Sequence, residues 1–390
     1  MYLLELAGED DRFALREAAT ATSQVRPLAA GLAIARGVER AADIDAATLA
    51  TDETVRTGAA DACDGAGRLA LTRRVSRLVG VADGTPADAL RLLDAAPNPA
   101  PPGTATVAVR ARDVRSTTGV DTRAVERRLG DALVERGHRV DLDDPDHELR
   151  ALFSRPDRWA DPDVGTADVD VTDRQSPPGA RLADVSGPSP DEDRETVCAL
   201  GWLDAEMPRD FAPPPTERPF FQPGSMAPQL ARALANLAGA RPGRRLLDPM
   251  CGTGGLLVEA GLVGARPFGV DARERMARGA AENLRTYADG ETLVGDAARL
   301  PLRDDAVDGV VLDVPYGRQS AIRGGDLRAL VADALAEARR VAPRAVAVGD
   351  REWTAVAREA GWTVDTLLRL RVHRSLVRHV HVLVTTETSR

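Results

Sequence analysis

The stretch "RRLLDPMCGTGGLLVEA", residues 244–260, decides how the second half of the chain is read. A short apolar run ends on Asp248, a glycine-rich segment follows, and apolar residues resume at Leu256. That order predicts a strand, a tight loop and a helix. Glycines in such a loop let backbone approach a ligand at the helix N-terminus, where unpaired N–H groups and the helix dipole meet. Alone, the loop also fits an ordinary strand-to-helix turn. A dinucleotide site is disfavoured, because Leu257 stands where the third glycine of G-x-G-x-x-G would fall.

Working outward, a helix is expected over Met226 to Gly239, then strand "PFGVD", helix "ARERMARGAAENLRTY", strands "ETLVGD" and "GVVLDV", helix "LRALVADALAEARRV" and strand "AVAVGD". The final "WTVDTLLRLRVHRSLVRHVHVLVT" reads as two strands and a turn. Alternating strands and helices predict an α/β, doubly wound, mostly parallel sheet with an antiparallel pair at its end. Ligands of open α/β sheets collect beyond the carboxyl ends of the strands. Four stretches fall there: the loop from Asp248 through Gly252 and Gly254, Asp271, Asp296 with Ala297, and Asp313-Val314-Pro315-Tyr316. Asp271 lies about 20 residues past the glycine loop, the separation at which an acid grips ribose hydroxyls. Their joint occurrence is far more specific than any one of them.

At 390 residues and 43% hydrophobic, the chain can form two or more domains with cores of their own. Two composition breaks divide it. Pro156 to Glu195 is rich in Asp, Pro, Gly and Ser and is expected to be a flexible acidic insertion. Residues 206–218, Pro-rich, are expected to link an N-terminal region of residues 1–205 to a C-terminal domain of residues 219–390. Within the first region, "TATVAVRARDV", a helix with Val125, Leu129 and Leu133 in one stripe, and "HRVDL" suggest a small α/β unit, and "TVCALGWLD" a further strand. Before Pro101 the expectation is a strand at Tyr2 to Leu6, a helix near Arg12 to Thr22, and Ala/Asp-rich helical segments beyond. No run is apolar enough to span a bilayer and the start lacks a secretory pattern, so a cytoplasmic location is expected. Cys63, Cys198 and Cys251 are unpaired by spacing, which argues against disulfides and zinc and for small core residues.

The "DPMCGTGGLLVEA", "GVDARERM", "VGDAARLP" and "LDVPYG" series is similar to the class I S-adenosylmethionine-dependent methyltransferases. With "RPFFQPGSMAPQLARALANLAG" before it and "RVHRSLVRHVHVL" after it, the series resembles archaeal tRNA guanine-N2 methyltransferases acting on guanosine 10. These carry an N-terminal THUMP domain. The resemblance covers Arg218 to Val384, and the N-terminal half matches more loosely. It implies a Rossmann-like domain with a seven-stranded, mostly parallel sheet and an α+β THUMP-containing region. It implies S-adenosyl-L-methionine as cofactor, held by Asp248 and the Gly252 and Gly254 backbone. Asp271 would take the ribose, Asp296 and Ala297 the adenine, and Pro223, Gly224 and Ser225 would pack beside the methionine tail. The family often has histidine where Gln222 stands.

The family motif Asp-Pro-Pro-Tyr reads Asp313-Val314-Pro315-Tyr316 here. The lone pair of a guanine amine is delocalised into the ring, so acceptors on both N–H bonds are needed to redirect it and remove a proton. Asp313 and the Val314 carbonyl suit those roles, and Tyr316 offers a ring for an extruded base. Valine supplies the carbonyl as well as proline does. Pro315 biases Val314 toward extended backbone, so a working site with slightly less rigidity is expected. His373, His379 and His381 lack a carboxylate or cysteine to complete a metal set, and a solvated or RNA-facing strand is preferred. Arg110, Arg112 and Arg115 fit RNA contacts or a salt-bridged surface. A monomer with tRNA as partner, no membrane and no metal is expected. The alternatives are another tRNA or ribosomal RNA guanine, a decayed RNA-binding protein, or a DNA adenine methyltransferase. The last is weakened by the want of a DNA-reading domain.

All 51 basic residues are arginine, against 60 Asp plus Glu, a composition suited to a GC-rich genome and a salty cytoplasm. The net charge of -9 would ordinarily oppose an RNA partner. At roughly molar salt the screening length is about 3 Å, so that repulsion nearly vanishes and recognition shifts to shape, stacking and arginine forks. Activity is therefore expected to persist in concentrated KCl; an optimum at low salt, with activity abolished in molar KCl, would contradict this reading.

Overall fold

The structure, a computed structural model, describes residues 1–8, 10–38, 65–95, 105–156, 196–316, 326–373 and 376–385. The described residues divide into two compact units that meet in the sequence between Pro208 and Arg209. Cys63 and all but the first residue of the acidic insertion lie outside the described residues.

The first unit is built on an eight-stranded mixed sheet. Its order is Arg26–Ala29, Leu32–Ala35, Tyr2–Leu6, Thr72–Asp83, Val197–Glu206, His147–Ser154, Thr106–Asp113 and Arg139–Val140. The stripe Val125, Leu129 and Leu133 of helix Thr122–Glu135 is fully buried against Val107, Val109, Leu149 and Phe153. Asp121 caps that helix by accepting from the Ala124 N–H at 3.1 Å. The Ala/Asp-rich expectation before Pro101 needs correcting. Its described residues include the helix Pro86–Ala95, but also strands Arg26–Ala29, Leu32–Ala35 and Thr72–Asp83. Pairing with Tyr2–Leu6 and Val197–Glu206 overrides local propensity there. Arg110 pairs with Glu148, Arg112 with Glu5 and Arg115 with Asp11, as in a salt-bridged surface.

The second unit holds seven strands: β1 Arg245–Asp248, β2 Arg266–Asp271, β3 Glu291–Val294, β4 Gly309–Asp313, β5 Arg344–Gly349, β6 Thr363–His373 and β7 Leu376–Val384. Their order across the sheet is β3-β2-β1-β4-β5-β7-β6. The first five run parallel and β7 is antiparallel to both neighbours. The helices are α1 Pro228–Leu237, α2 Gly255–Leu262, α3 Glu274–Tyr287, α4 Leu327–Val341 and α5 Thr354–Glu359. Val331, Leu335 and Ala338 of α4 pack on Val310 and Leu312 of β4, so the period-3.6 stripe meets a strand buried on both faces. The order reverses beside β1, between β1 and β4, which is where open sheets form a crevice.

The segment expected as a linker is fastened to this unit. The Glu259 carboxylate of α2 accepts from the Ala212 N–H at 3.0 Å and from Arg232 Nε of α1 at 2.8 Å. Arg232, 1% exposed, also lies over the Phe211 ring at 5.1 Å. Burial pushes the Glu259 carboxyl up, against the pull of Arg232.

His381 is a second correction. It is fully buried and its Nε2 accepts from the Trp353 N–H at 3.0 Å. Desolvation lowers its pKa to about 4, so it is a neutral core residue. Twofold alternation along a strand sets His379 and His381 on one face, but it takes no account of cover by the turn before α5, whose Trp353 N–H meets the ring.

Gly309 opens β4 against α1, where a methyl group would overlap the Ala238 carbonyl oxygen. A backbone atom cannot swing aside. Gly309→Ala is expected to destabilise by about 1–3 kcal/mol, read as a lower urea midpoint at unchanged slope; an unchanged midpoint would show that α1 yields freely.

Candidate active site

The parallel register brings the carboxyl ends of β1, β2, β3 and β4 to one edge, and with them Asp248, Asp271, the Asp296 turn and Asp313. Asp248 is 2% exposed and accepts from the Met250 N–H at 3.0 Å. Burial raises its pKa well above the usual carboxylate range, and the negative charges of Asp313 and Asp271 push the same way. The glycine loop turns sharply next to it, with φ of 53° at Gly252 and 77° at Gly254. A side chain at Gly252 would meet nothing within 4 Å, whereas one at Gly254 would press on Ala280 of α3 at 3.0 Å. The loop is therefore closed against α3 and open at Gly252.

Asp271 ties the loop to β2. Its Oδ2 accepts from the Gly252 N–H at 3.0 Å and its Oδ1 from the Arg273 N–H at 2.9 Å. The Gly254 N–H is donated to the Cys251 carbonyl at 2.7 Å. Both loop amides expected to face a ligand are thus already engaged, Gly252 by Asp271 at the end of β2 and Gly254 within the loop. Cys251 is buried and its thiol is pushed up by desolvation and by Asp248, which makes it inert. Asp296 is exposed and accepts from the Ala298 N–H at 2.9 Å, while Ala297 is buried.

The segment before α1 meets the same loop. Ser225 Oγ donates to the Gln222 carbonyl at 2.7 Å and lies 3.2 Å from Thr253 Oγ1. Pro223 and Gly224 are exposed beside it. Asn283 of α3, fully buried, fastens the two segments: its Nδ2 donates to the Phe220 and Thr253 carbonyls, both at 2.9 Å, and its Oδ1 accepts from the Phe220 N–H at 3.0 Å. The sequence reading passed over Asn283, although a buried amide within a helical apolar stripe is a usable signal.

At the end of β4, Asp313 Oδ1 accepts from the Tyr316 hydroxyl at 2.9 Å, and that hydroxyl accepts from Arg378 Nε of β7 at 3.1 Å. Burial pushes the Asp313 carboxyl up; the Arg378 charge and the tyrosine hydrogen bond pull it back. Burial and the neighbouring Asp313 raise the Tyr316 phenol, which stays protonated and donating. Pro315 is half-buried between them. Val314 is 2% exposed, in the core with Val331 and Ala347, and its N–H donates to the Val348 carbonyl at 2.8 Å. No described N–H donates to the Val314 carbonyl. The hydrogen bond changes the reading of Val314: the amide that proline would lack is here an anchor of the loop to β5.

Among the described residues no group of three His, Cys, Asp or Glu side chains could hold a metal ion, and no helix is long and apolar enough to cross a membrane. Three carboxylates on one edge, one of them buried with a single amide donor, suit a ligand carrying positive charge. A sulfonium cofactor with a free amino group meets that requirement, and the open side of Gly252 gives it room. Val314→Pro is expected to lower stability by about 1–3 kcal/mol, through loss of its N–H and the stranded Val348 carbonyl; a melting temperature at or above that of the wild type would show that the bond anchors nothing.

Residues 215–379 match the family model UPF0020, described as an RMKL-like methyltransferase domain. The tRNA (guanine(10)-N2)-dimethyltransferase of Methanothermobacter thermautotrophicus is 40% identical over 178 residues, covering 43% of this chain and 52% of that protein. Its counterpart in Methanocaldococcus jannaschii is 35% identical over 181 residues, covering 43% and 48%. The chain thus spans about half the length of these curated relatives. The crystal structure of TrmN from Thermus thermophilus superposes with a TM-score of 0.44 at 22% identity, covering 99% of each chain. The edge that gathers Asp248, Asp271 and Asp313 falls wholly inside the segment that matches the UPF0020 methyltransferase-domain model.

Proposed function

We propose that this protein transfers methyl groups from S-adenosyl-L-methionine to the exocyclic N2 of a guanine in tRNA. The favoured position is guanosine 10, giving N2-methylguanosine and, in a second turnover, N2,N2-dimethylguanosine. The observation that carries this reading is the end of β4, where the Asp313 carboxylate is followed by the Val314 carbonyl, to which no described N–H donates, next to the Tyr316 ring. The names of the relatives over residues 215–379 support the substrate, and the N-terminal unit would dock the tRNA in the manner expected of a THUMP-containing region. The enzyme would act in the cytoplasm as a monomer.

When bound, the cofactor supplies an electrophilic methyl group, whose bonding electrons return to sulfur as the N2–C bond forms. Asp248 would hold the positively charged methionine end. Asp271 would grip the ribose with the lone pairs its two amide partners leave free, and Ala297 with Asp296 would border the adenine. Pro223, Gly224 and Ser225 would cover the tail. Tyr316 stacks the extruded base. Asp313 Oδ2 and the Val314 carbonyl accept the two N2–H bonds, turning the nitrogen lone pair toward the methyl group, and Asp313 takes the proton that N2 gives up. A carboxyl raised by burial suits that last step, because it is a stronger base than an exposed one.

Incubation with tRNA and labelled cofactor, followed by mass spectrometry of the nucleosides, should show N2-methylated guanosine. Asp313→Ala is expected to slow transfer by about 10²–10⁴-fold while cofactor affinity stays nearly unchanged. Methyl transfer by the mutant at the wild-type rate would defeat the mechanism, and tight tRNA binding without any transfer by the wild type would favour a decayed site.

A further inference from the structure

Among the described residues Arg378 is the one cation whose hydrogen bond reaches the end of β4, and no sequence motif assigned it a role. It is 6% exposed and sits on β7, one residue beyond the His379 to Gly349 pair that ends the β5 ladder. From there its Nε reaches Tyr316 across the end of β5. A tyrosine hydroxyl has one proton to donate. When its oxygen accepts from a guanidinium, the proton is left for the carboxylate on the other side. The geometry points to Arg378 as a positioning residue for Asp313: it fixes the Tyr316 hydroxyl on Oδ1, so that Oδ2 is the oxygen presented to the substrate amine. This inference rests on the proposed methyl transfer to an amine held by Asp313.

Among the described residues the surroundings leave this task to Arg378. Asp248 faces Asp313 from the end of β1 with the same charge. Beyond β5, Asp350 pairs with Arg351, and Glu352 with Arg369 of β6. His379 is depressed by burial and by Arg369 and supplies no charge at neutral pH. Removing the guanidinium would leave a half-buried carboxylate with no other described cation opposite it, and its pKa would rise further. Because the reaction needs the ionised form, the acidic limb of the rate profile would move toward higher pH. Lysine keeps the charge but, as a point donor without a planar fork, holds the hydroxyl less well.

The test compares wild type, Arg378→Met, Arg378→Lys and Tyr316→Phe in two ways. In the first, kcat/KM for tRNA methylation is followed against pH. Arg378→Met is expected to shift the acidic limb up by about one pH unit or more, with a loss of about tenfold on the acidic side of the limb that recovers in alkali. Arg378→Lys should return the limb toward its wild-type position at a reduced plateau, and Tyr316→Phe should shift it in the same direction as Arg378→Met. In the second, the carboxyl-carbon NMR signal of Asp313, identified by its loss in Asp313→Asn, is titrated in the same proteins without RNA. Its midpoint should rise in Arg378→Met. A midpoint and limb that stay in place, with the rate lowered equally at every pH, would make Arg378 merely structural and overturn the inference. A raised midpoint in a protein that yields no N2-methylguanosine would instead overturn the proposed substrate and leave the positioning role standing.

Discussion

Parallel strands that end together put acidic residues together, and the second unit has to live with that constraint. Asp248, Asp271 and Asp313 close β1, β2 and β4 on one edge, the first two buried and the third half-buried. Carboxylates so placed cost free energy unless something opposes their charge. The chain opposes each differently: one amide for Asp248, two amides and the Arg273 side chain for Asp271, and a tyrosine backed by an arginine for Asp313. Least is supplied at Asp248, where the negative neighbours add to the burial. A cationic ligand is therefore worth most there, and its binding would relieve the strain on all three.

That unequal distribution also fixes which groups are rigid. Asn283, Ser225 and the engaged amides of the glycine loop hold the floor of the edge through bonds that do not depend on a ligand. Val314 works in the same way from the other side, with its isopropyl group in the core and its N–H on β5. The substitution of valine for the first proline of the motif exchanges a fixed φ for a hydrogen bond and a buried side chain. Stiffness is kept by other means, and no described N–H takes up the Val314 carbonyl.

The sheet and its loops were legible in the sequence because the signals are local. Apolar runs bounded by glycine and aspartate mark β1, β2 and β4, and the stripe of α4 is read at its observed bounds, Leu327 to Val341. The strand Thr72–Asp83 was not legible: its burial follows no twofold pattern, and it is held by partners at both ends of the first unit's sequence. His381 was misjudged because a strand in mid-sheet can be covered on both faces, which alternation cannot report. Arg378 was invisible for a related reason. Its importance lies in a register that brings residues 62 positions apart into contact, and no spacing rule contains that information.

A chain that uses arginine as its only basic residue places the same side chain in two electrostatic settings. On the surface, pairs such as Arg278 with Glu274 lie in water and are weakened by salt within a screening length. Inside, Arg232 with Glu259, Arg150 with Glu5, and Arg378 beside Asp313 are shielded from mobile ions. Arginine tolerates that burial because its guanidinium stays charged where a lysine would surrender its proton, and its fork satisfies two acceptors at once, as Arg150 does on Glu5. The balance of charge at the end of β4 is thus set by the fold and not by the solvent. Ionic strength would act on the surface pairs and leave the pull of Arg378 on the Asp313 carboxyl largely untouched.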